Sequence, residues 1–140
     1  DIEKIKTIGD AYMVASGMPE PRSDHAAQVA ELAFEMLAVC RELSVEFEET
    51  VEVRIGLHTG PAVAGVIGTQ RFAYDAWGDT VNTAARMESH GEPVKIQVTE
   101  ATKNALNGQF YFEPRGSVEI KGKGLMETWW LHRQAQSHSV

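Results

Sequence analysis

Asn82 and Arg86 stand four residues apart in the segment YDAWGDTVNTAARMES, residues 74–89. On a helix that spacing puts an amide and a guanidinium on one face. Asp75 precedes them, just ahead of Trp77 and Gly78, so an acid, an amide and a fixed cation follow one another along a short length of chain. Other polar groups also fall near the ends of elements, where sites on a rigid sheet usually form. Asp10 follows Gly9 at the tip of a hairpin, Lys121 and Lys123 lie in a glycine-flanked loop, and Arg54 sits on an alternating strand. Two ammonium and two guanidinium groups carry enough positive charge for a polyphosphate. Asp10 would then hold a hard cation such as Mg²⁺ against those phosphates, since such ions take carboxylate oxygens. One carboxylate is too few for that task, and a second is expected from sequence upstream of residue 1. Each feature also has a plainer reading. Arg86 can snorkel over the fold surface, Gly-Asp is good turn chemistry, and Lys-Gly-Lys-Gly can be a solvated turn.

The elements that must position these groups follow from periodicity. Residues 2–6 and 11–15 read as two strands of a hairpin turning at residues 7–10. The stretch 17–21, GMPEP, breaks regular structure. A long helix is expected over about 24–48, with Val29, Ala33, Met36, Cys40, Leu43 and Phe47 on its apolar stripe and Leu32, Leu37 and Val39 widening it. Ser23 or Asp24 can cap its start. Residues 51–58 alternate, with Val51, Val53, Ile55 and Leu57 on one face. Gly60-Pro61 turns the chain into a glycine-spaced strand over 62–68. Gly56 on the first of these adjoining strands and Gly65 on the second imply close backbone approach by a neighbouring element or a ligand, with helix-on-sheet packing the favoured cause. Residues 71–74 form a short strand or arm, and a helix then runs to about Ser89, its apolar contacts coming from Val81, Ala84, Ala85 and Met87. A strand over 94–98, a short helix capped by Thr99 with Leu106 turned inward, and strands over 110–113, 116–120 and 126–131 complete the order. This is an α/β pattern built on a ferredoxin-like βαββαβ unit with additional C-terminal strands. The first strand of that unit is missing from the front. Residues 1–132 make one domain, and residues 133–140 are a polar tail.

The 140 residues suffice for one domain with a real core, and 43% hydrophobic with 24% charged residues is ordinary for a globular chain. A net charge of −7 argues against general affinity for a nucleic-acid backbone. The single cysteine, Cys40, excludes an internal disulfide and a cysteine-rich zinc site, and it is expected as a buried thiol on the long helix. No apolar run approaches the roughly 20 residues of a membrane span. The chain opens mid-pattern without an initiator methionine, so it is expected to be cut from something longer.

Four blocks together resemble the class III nucleotidyl cyclase catalytic domain: IKTIGDAYM at 5–13, RIGLHTG at 54–60, YDAWGDTVNTAARM at 74–87 and KGKG at 121–124. The resemblance extends to about His132, in the family's order and spacing. It implies that Asp10 is the second of two metal-binding aspartates, the first lying upstream of residue 1. Lys6 and Asp75 match the pair that reads adenine, whereas guanine-specific members tend to carry Glu and a small residue such as Cys at those positions. Asn82 matches the residue that orients the ribose, Arg86 the one that stabilises the transferring phosphoryl group, and Lys121 and Arg54 residues that contact phosphate. In the family the site is shared across a head-to-tail dimer, with Asp10 and Arg54 from one subunit and the remainder from the other. Both halves are present here, which implies a homodimer with two equivalent sites, ATP as substrate, and two Mg²⁺ or Mn²⁺ ions per site. The implied location is the cytoplasm, with an upstream regulatory or membrane domain left open. The alternatives are a guanylyl cyclase and a non-catalytic nucleotide-binding or dimerising module. A ferredoxin-like nucleic-acid binder is disfavoured by the charge and by the lack of a basic aromatic sheet face.

Overall fold

The computed structural model describes residues 2–8, 11–16, 24–60, 64–67, 71–74, 79–106, 108–120 and 122–133. β1 (Ile2–Ile8) and β2 (Ala11–Ser16) pair antiparallel as the alternating residues require, from Ile2 opposite Ser16 to Ile8 opposite Ala11. The register shifts between Lys4 and Lys6, which leaves Ile5 as an extra residue on β1.

α1 (His25–Phe47) follows. Its deepest residues are Ala26, Ala30 and Ala33, with Phe34, Met36 and Leu37 packed around them. The stripe expected through Val29, Cys40, Leu43 and Phe47 is therefore displaced, and small side chains bring the helix close to its neighbours. The last turns leave the core, since Val39, Val45 and Phe47 are 50%, 80% and 61% exposed, and Cys40 is half-buried rather than buried. Asp24 occupies the N-cap position, but its φ of −102° and ψ of 22° are not the extended geometry of a cap, and its side chain makes no capping hydrogen bond. Its carbonyl accepts from the Gln28 N–H at 3.0 Å. The other candidate cap, Ser23, lies outside the described residues. Glu48 ends the helix in the left-handed conformation.

The main sheet has the strand order β3-β6-β8-β7, formed by β3 (Ile55–Leu57), β6 (Ile96–Thr99), β8 (Gly124–His132) and β7 (Tyr111–Ile120). β3 and β6 run parallel, and the other pairs are antiparallel. β3 is shorter than the alternation at 51–58 implies. Residues 51–54 stay irregular, although the Val53 carbonyl still accepts from the Val94 N–H at 2.9 Å. β4 (Ala64–Ile67) pairs not with β3 but with β5 (Arg71–Tyr74), as a separate antiparallel hairpin. β7 is one continuous strand where two segments were expected. Its Pro114, which has no N–H to donate, is tolerated because β7 lies at the sheet edge. The register shift beside it is tied down by Thr128 Oγ1 donating to the Gly116 carbonyl at 2.9 Å.

Helices cover both faces. α1 and α3 (Glu100–Leu106) enclose Ile55, Ile96, Val98, Leu106 and Leu131. α2 (Asp79–Ser89) lies on the other face and makes the β3–α2–β6 crossover that the ferredoxin-like pattern requires. No helix among the described residues is long and apolar enough to cross a membrane.

Candidate active site

α2 is seated on the sheet by a missing side chain. A Cβ built on Gly56 would lie 2.2 Å from the Glu88 amide nitrogen and 2.5 Å from the Met87 carbonyl carbon. The strand and helix backbones thus touch where only glycine fits, as the helix-on-sheet reading of Gly56 expects. Further along, a Cβ on Gly60 would come within 2.8 Å of Thr80 Oγ1, so α2 runs antiparallel to the β3 segment along its length. Met87 is fully buried against Val118, Ile120 and Met126, and its carbonyl accepts from Gln97 Nε2 at 3.1 Å. The inward face of α2 is Thr83 and Met87, whereas Ala85, named for packing, is exposed. Two polar contacts fix the end of β3: His58 Nδ1 lies 2.7 Å from Thr99 Oγ1, and the Thr59 and Thr102 hydroxyls are 2.9 Å apart.

This seating leaves Asn82 and Arg86 exposed on one face of α2, as their spacing requires. Arg86 opens onto a cleft lined with His90, Val118 and Glu119, on the β7 side of the helix. Among the described residues no side chain pairs with its guanidinium. The same Met87 cluster that anchors α2 also holds the β7–β8 hairpin. The tip of that hairpin is a tight turn, closed by the Lys123 N–H donating to the Ile120 carbonyl at 2.8 Å, with Gly122 and Gly124 at φ of 84° and 78°. α2 and the β7–β8 hairpin are therefore parts of one packed unit.

Arg54, the residue before β3, lies on the other flank. Its Nε and Nη2 reach the same oxygen, Glu88 Oε2, at 3.0 and 2.9 Å. Glu88 and Arg86 leave the helix on either side of the inward-facing Met87. Since β3 and β7 are at opposite ends of the sheet order, Arg54 and Arg86 serve opposite sides of α2. The structure thus joins Asn82 with Arg86 and separates Arg54 from both. Sequence reasoning passed over Glu88, whose partner is 34 positions away, and His90, which continues the row of Asn82 and Arg86 by another four residues.

Lys6 stands in β1 opposite Met13, directly after the register shift. Asp10, Asp75 and Lys121 lie outside the described residues, as does Gly65's surroundings beyond its pairing with Ala73. Among the described residues no group of three or more His, Cys, Asp or Glu could hold a metal ion.

The family described as the adenylate and guanylate cyclase catalytic domain matches residues 1–133. The chain is 48% identical over 130 residues to an adenylate cyclase of Mycobacterium tuberculosis, spanning 93% of this chain and 29% of that protein. It is 47% identical over 134 residues to a receptor-type guanylate cyclase of Caenorhabditis elegans, spanning 93% of this chain and 10% of that one. Among solved structures, the guanylate cyclase domain from Catenaria anguillulae in complex with GTP superimposes with a TM-score of 0.83 at 36% identity, covering 96% of this chain and 74% of the other. The chain belongs to the class III nucleotidyl cyclase catalytic domain family. It spans less than a third of the length of these two curated relatives.

Proposed function

We propose that this domain is an adenylyl cyclase, converting ATP to 3′,5′-cyclic AMP and pyrophosphate at two equivalent sites shared between two copies of the chain. The placement of Arg54 and Arg86 on opposite flanks of α2 carries the shared-site reading. With the two arginines on opposite flanks, a two-fold partner that sets the Arg54 flank of one copy against the Arg86 flank of the other would let a single triphosphate meet both. Asp75, Asn82 and Arg86 then meet base, ribose and α-phosphate in turn, with Lys121 on the terminal phosphates. Asp10 and Arg54 come from the partner.

The choice of ATP rests on Lys6 and Asp75. A lysine donates to adenine N1 and an aspartate accepts from the exocyclic amine, whereas guanine presents donors at N1 and N2 that a glutamate would accept. Overall similarity does not favour either base, because adenylate and guanylate cyclases match almost equally. With ATP and GTP assayed side by side, turnover on ATP is expected to be at least about tenfold more efficient, the scale of a mispaired buried polar group. The Lys6→Glu/Asp75→Cys double variant is expected to reverse the order. Preference for GTP in the unaltered protein would establish the second reading, a guanylyl cyclase like the receptor-type relatives.

The carboxylate of Asp10 suits a hard divalent cation such as Mg²⁺ or Mn²⁺, and a second carboxylate is required beside it. When bound, two such ions supply charge that favours ionisation of the ribose 3′-hydroxyl and neutralises the departing pyrophosphate. The chain's own part is to hold the 3′-oxygen in line with the α-phosphorus through Asn82 and to stabilise the phosphoryl charge through Arg86.

Sharing has a quantitative consequence. An Asp10→Asn chain and an Arg86→Ala chain, each inactive alone, form heterodimers with one intact site when mixed in equal amounts. Cyclic AMP formation should then recover to about a quarter of the unaltered rate, since half the dimers carry one good site of two. No recovery on mixing would mean that each site is built within one chain.

A further inference from the structure

We infer that Glu88 is a positioning residue that aims the Arg54 guanidinium at a phosphate ligand; the identity of that ligand rests on the cyclase reading above. A guanidinium offers an oxyanion two edges: Nε–H with the neighbouring Nη–H, and the outer edge formed by both Nη groups. Glu88 Oε2 takes the first edge, with Nε at 3.0 Å and Nη2 at 2.9 Å. The outer edge stays available for a second, bidentate anion. Arg54 keeps 47% of its side-chain surface exposed, so that edge is reachable from solvent.

Glu88 is itself fixed by packing. Its amide nitrogen lies against Gly56, two residues beyond Arg54, where the helix and strand backbones touch. A long side chain on irregular chain ahead of β3 would otherwise sample many rotamers, and ordering it would oppose ligand binding. The carboxylate removes that freedom before the ligand arrives. Its charge also faces the side of the guanidinium that the ligand does not use. As an exposed pair it adds little to stability, so a loss of stability is not what its removal should reveal.

The test uses the full chain with inorganic pyrophosphate as the probe, titrated calorimetrically, alongside thermal melting and steady-state kinetics. Glu88→Ala is expected to weaken pyrophosphate binding about tenfold, with a melting temperature close to that of the unaltered protein. Glu88→Gln should retain most of the affinity, because the amide oxygen still accepts from Nε–H and Nη2–H. In an Arg54→Ala background, Glu88→Ala should have no further effect. Unchanged or tighter binding in Glu88→Ala overturns the proposal, the tighter result marking Glu88 as a competitor that phosphate must displace. An equal penalty without Arg54, or no pyrophosphate binding in the unaltered protein, overturns it as well. If this pattern appears while neither ATP nor GTP yields a cyclic nucleotide, the cyclase reading falls and the positioning role stands.

Discussion

Replacing Arg86 by alanine is expected to lower kcat by on the order of 10² or more while the protein stays folded. The size follows from where charge develops. As the 3′-oxygen attacks and pyrophosphate leaves, negative charge spreads over the oxygens of the transferring group, and a guanidinium fixed there would stabilise that state more than the bound nucleoside triphosphate. The loss should therefore appear in kcat more than in KM. The fold should not suffer, because Arg86 is exposed on α2 and no described side chain pairs with it. Its backbone carbonyl, which accepts from the His90 N–H at 2.9 Å, is untouched by the substitution. Arg86→Lys should recover only a part of the rate, since an ammonium keeps the charge but loses the planar fork. Single-turnover assays beside thermal melts separate these outcomes. Unchanged turnover in a folded Arg86→Ala protein would remove the residue from the mechanism.

The second large effect is expected at Gly56, which touches no substrate. Gly56→Ala places a methyl 2.2 Å from the Glu88 nitrogen and 2.5 Å from the Met87 carbonyl carbon. Both obstacles are backbone, so no side chain can swing aside. α2 has to lift from the sheet, and the fully buried contacts of Met87 with Val118 and Ile120 loosen with it. Overpacking of this kind costs about 3 kcal/mol at the upper end of its usual range. For a chain of this size that is a fall in melting temperature on the order of 10 °C. Cyclase activity should fall as well, because the surface that carries Asn82 and Arg86 moves relative to the lysine loop. A melting temperature within a degree or two of the unaltered protein would show that the helix seat yields more easily than the geometry implies.

The two substitutions also separate what was legible in the sequence from what was not. Asn82 and Arg86 could be read as sharing one exposed face because helix geometry relates residues four apart whatever surrounds them. The β1–β2 hairpin, α1, the β3–α2–β6 order and the close approach at Gly56 were legible for the same reason. Each is announced by a period, a turn residue or a glycine within a few positions. The blocks at 5–13, 54–60, 74–87 and 121–124 carried the family, and the match over residues 1–133 agrees. Where the local pattern was ambiguous, packing overrode it. The apolar stripe of α1 looked centred on its large residues, yet Ala26, Ala30 and Ala33 lie deepest because only small side chains let the helix settle close. The alternation at 51–58 promised a long strand, but β3 keeps only the three residues that pair with β6.

By itself, then, the sequence determined the order of elements, the family, and the shared helical face of Asn82 and Arg86. Only the tertiary structure decided that Arg54 belongs to Glu88, 34 positions away, and that it stands across α2 from Arg86. Local periodicity is written in neighbouring residues and survives without context. The side of a helix on which a distant cation comes to rest depends on how the strands are ordered, and that is fixed only when β3, β6, β8 and β7 assemble beneath it.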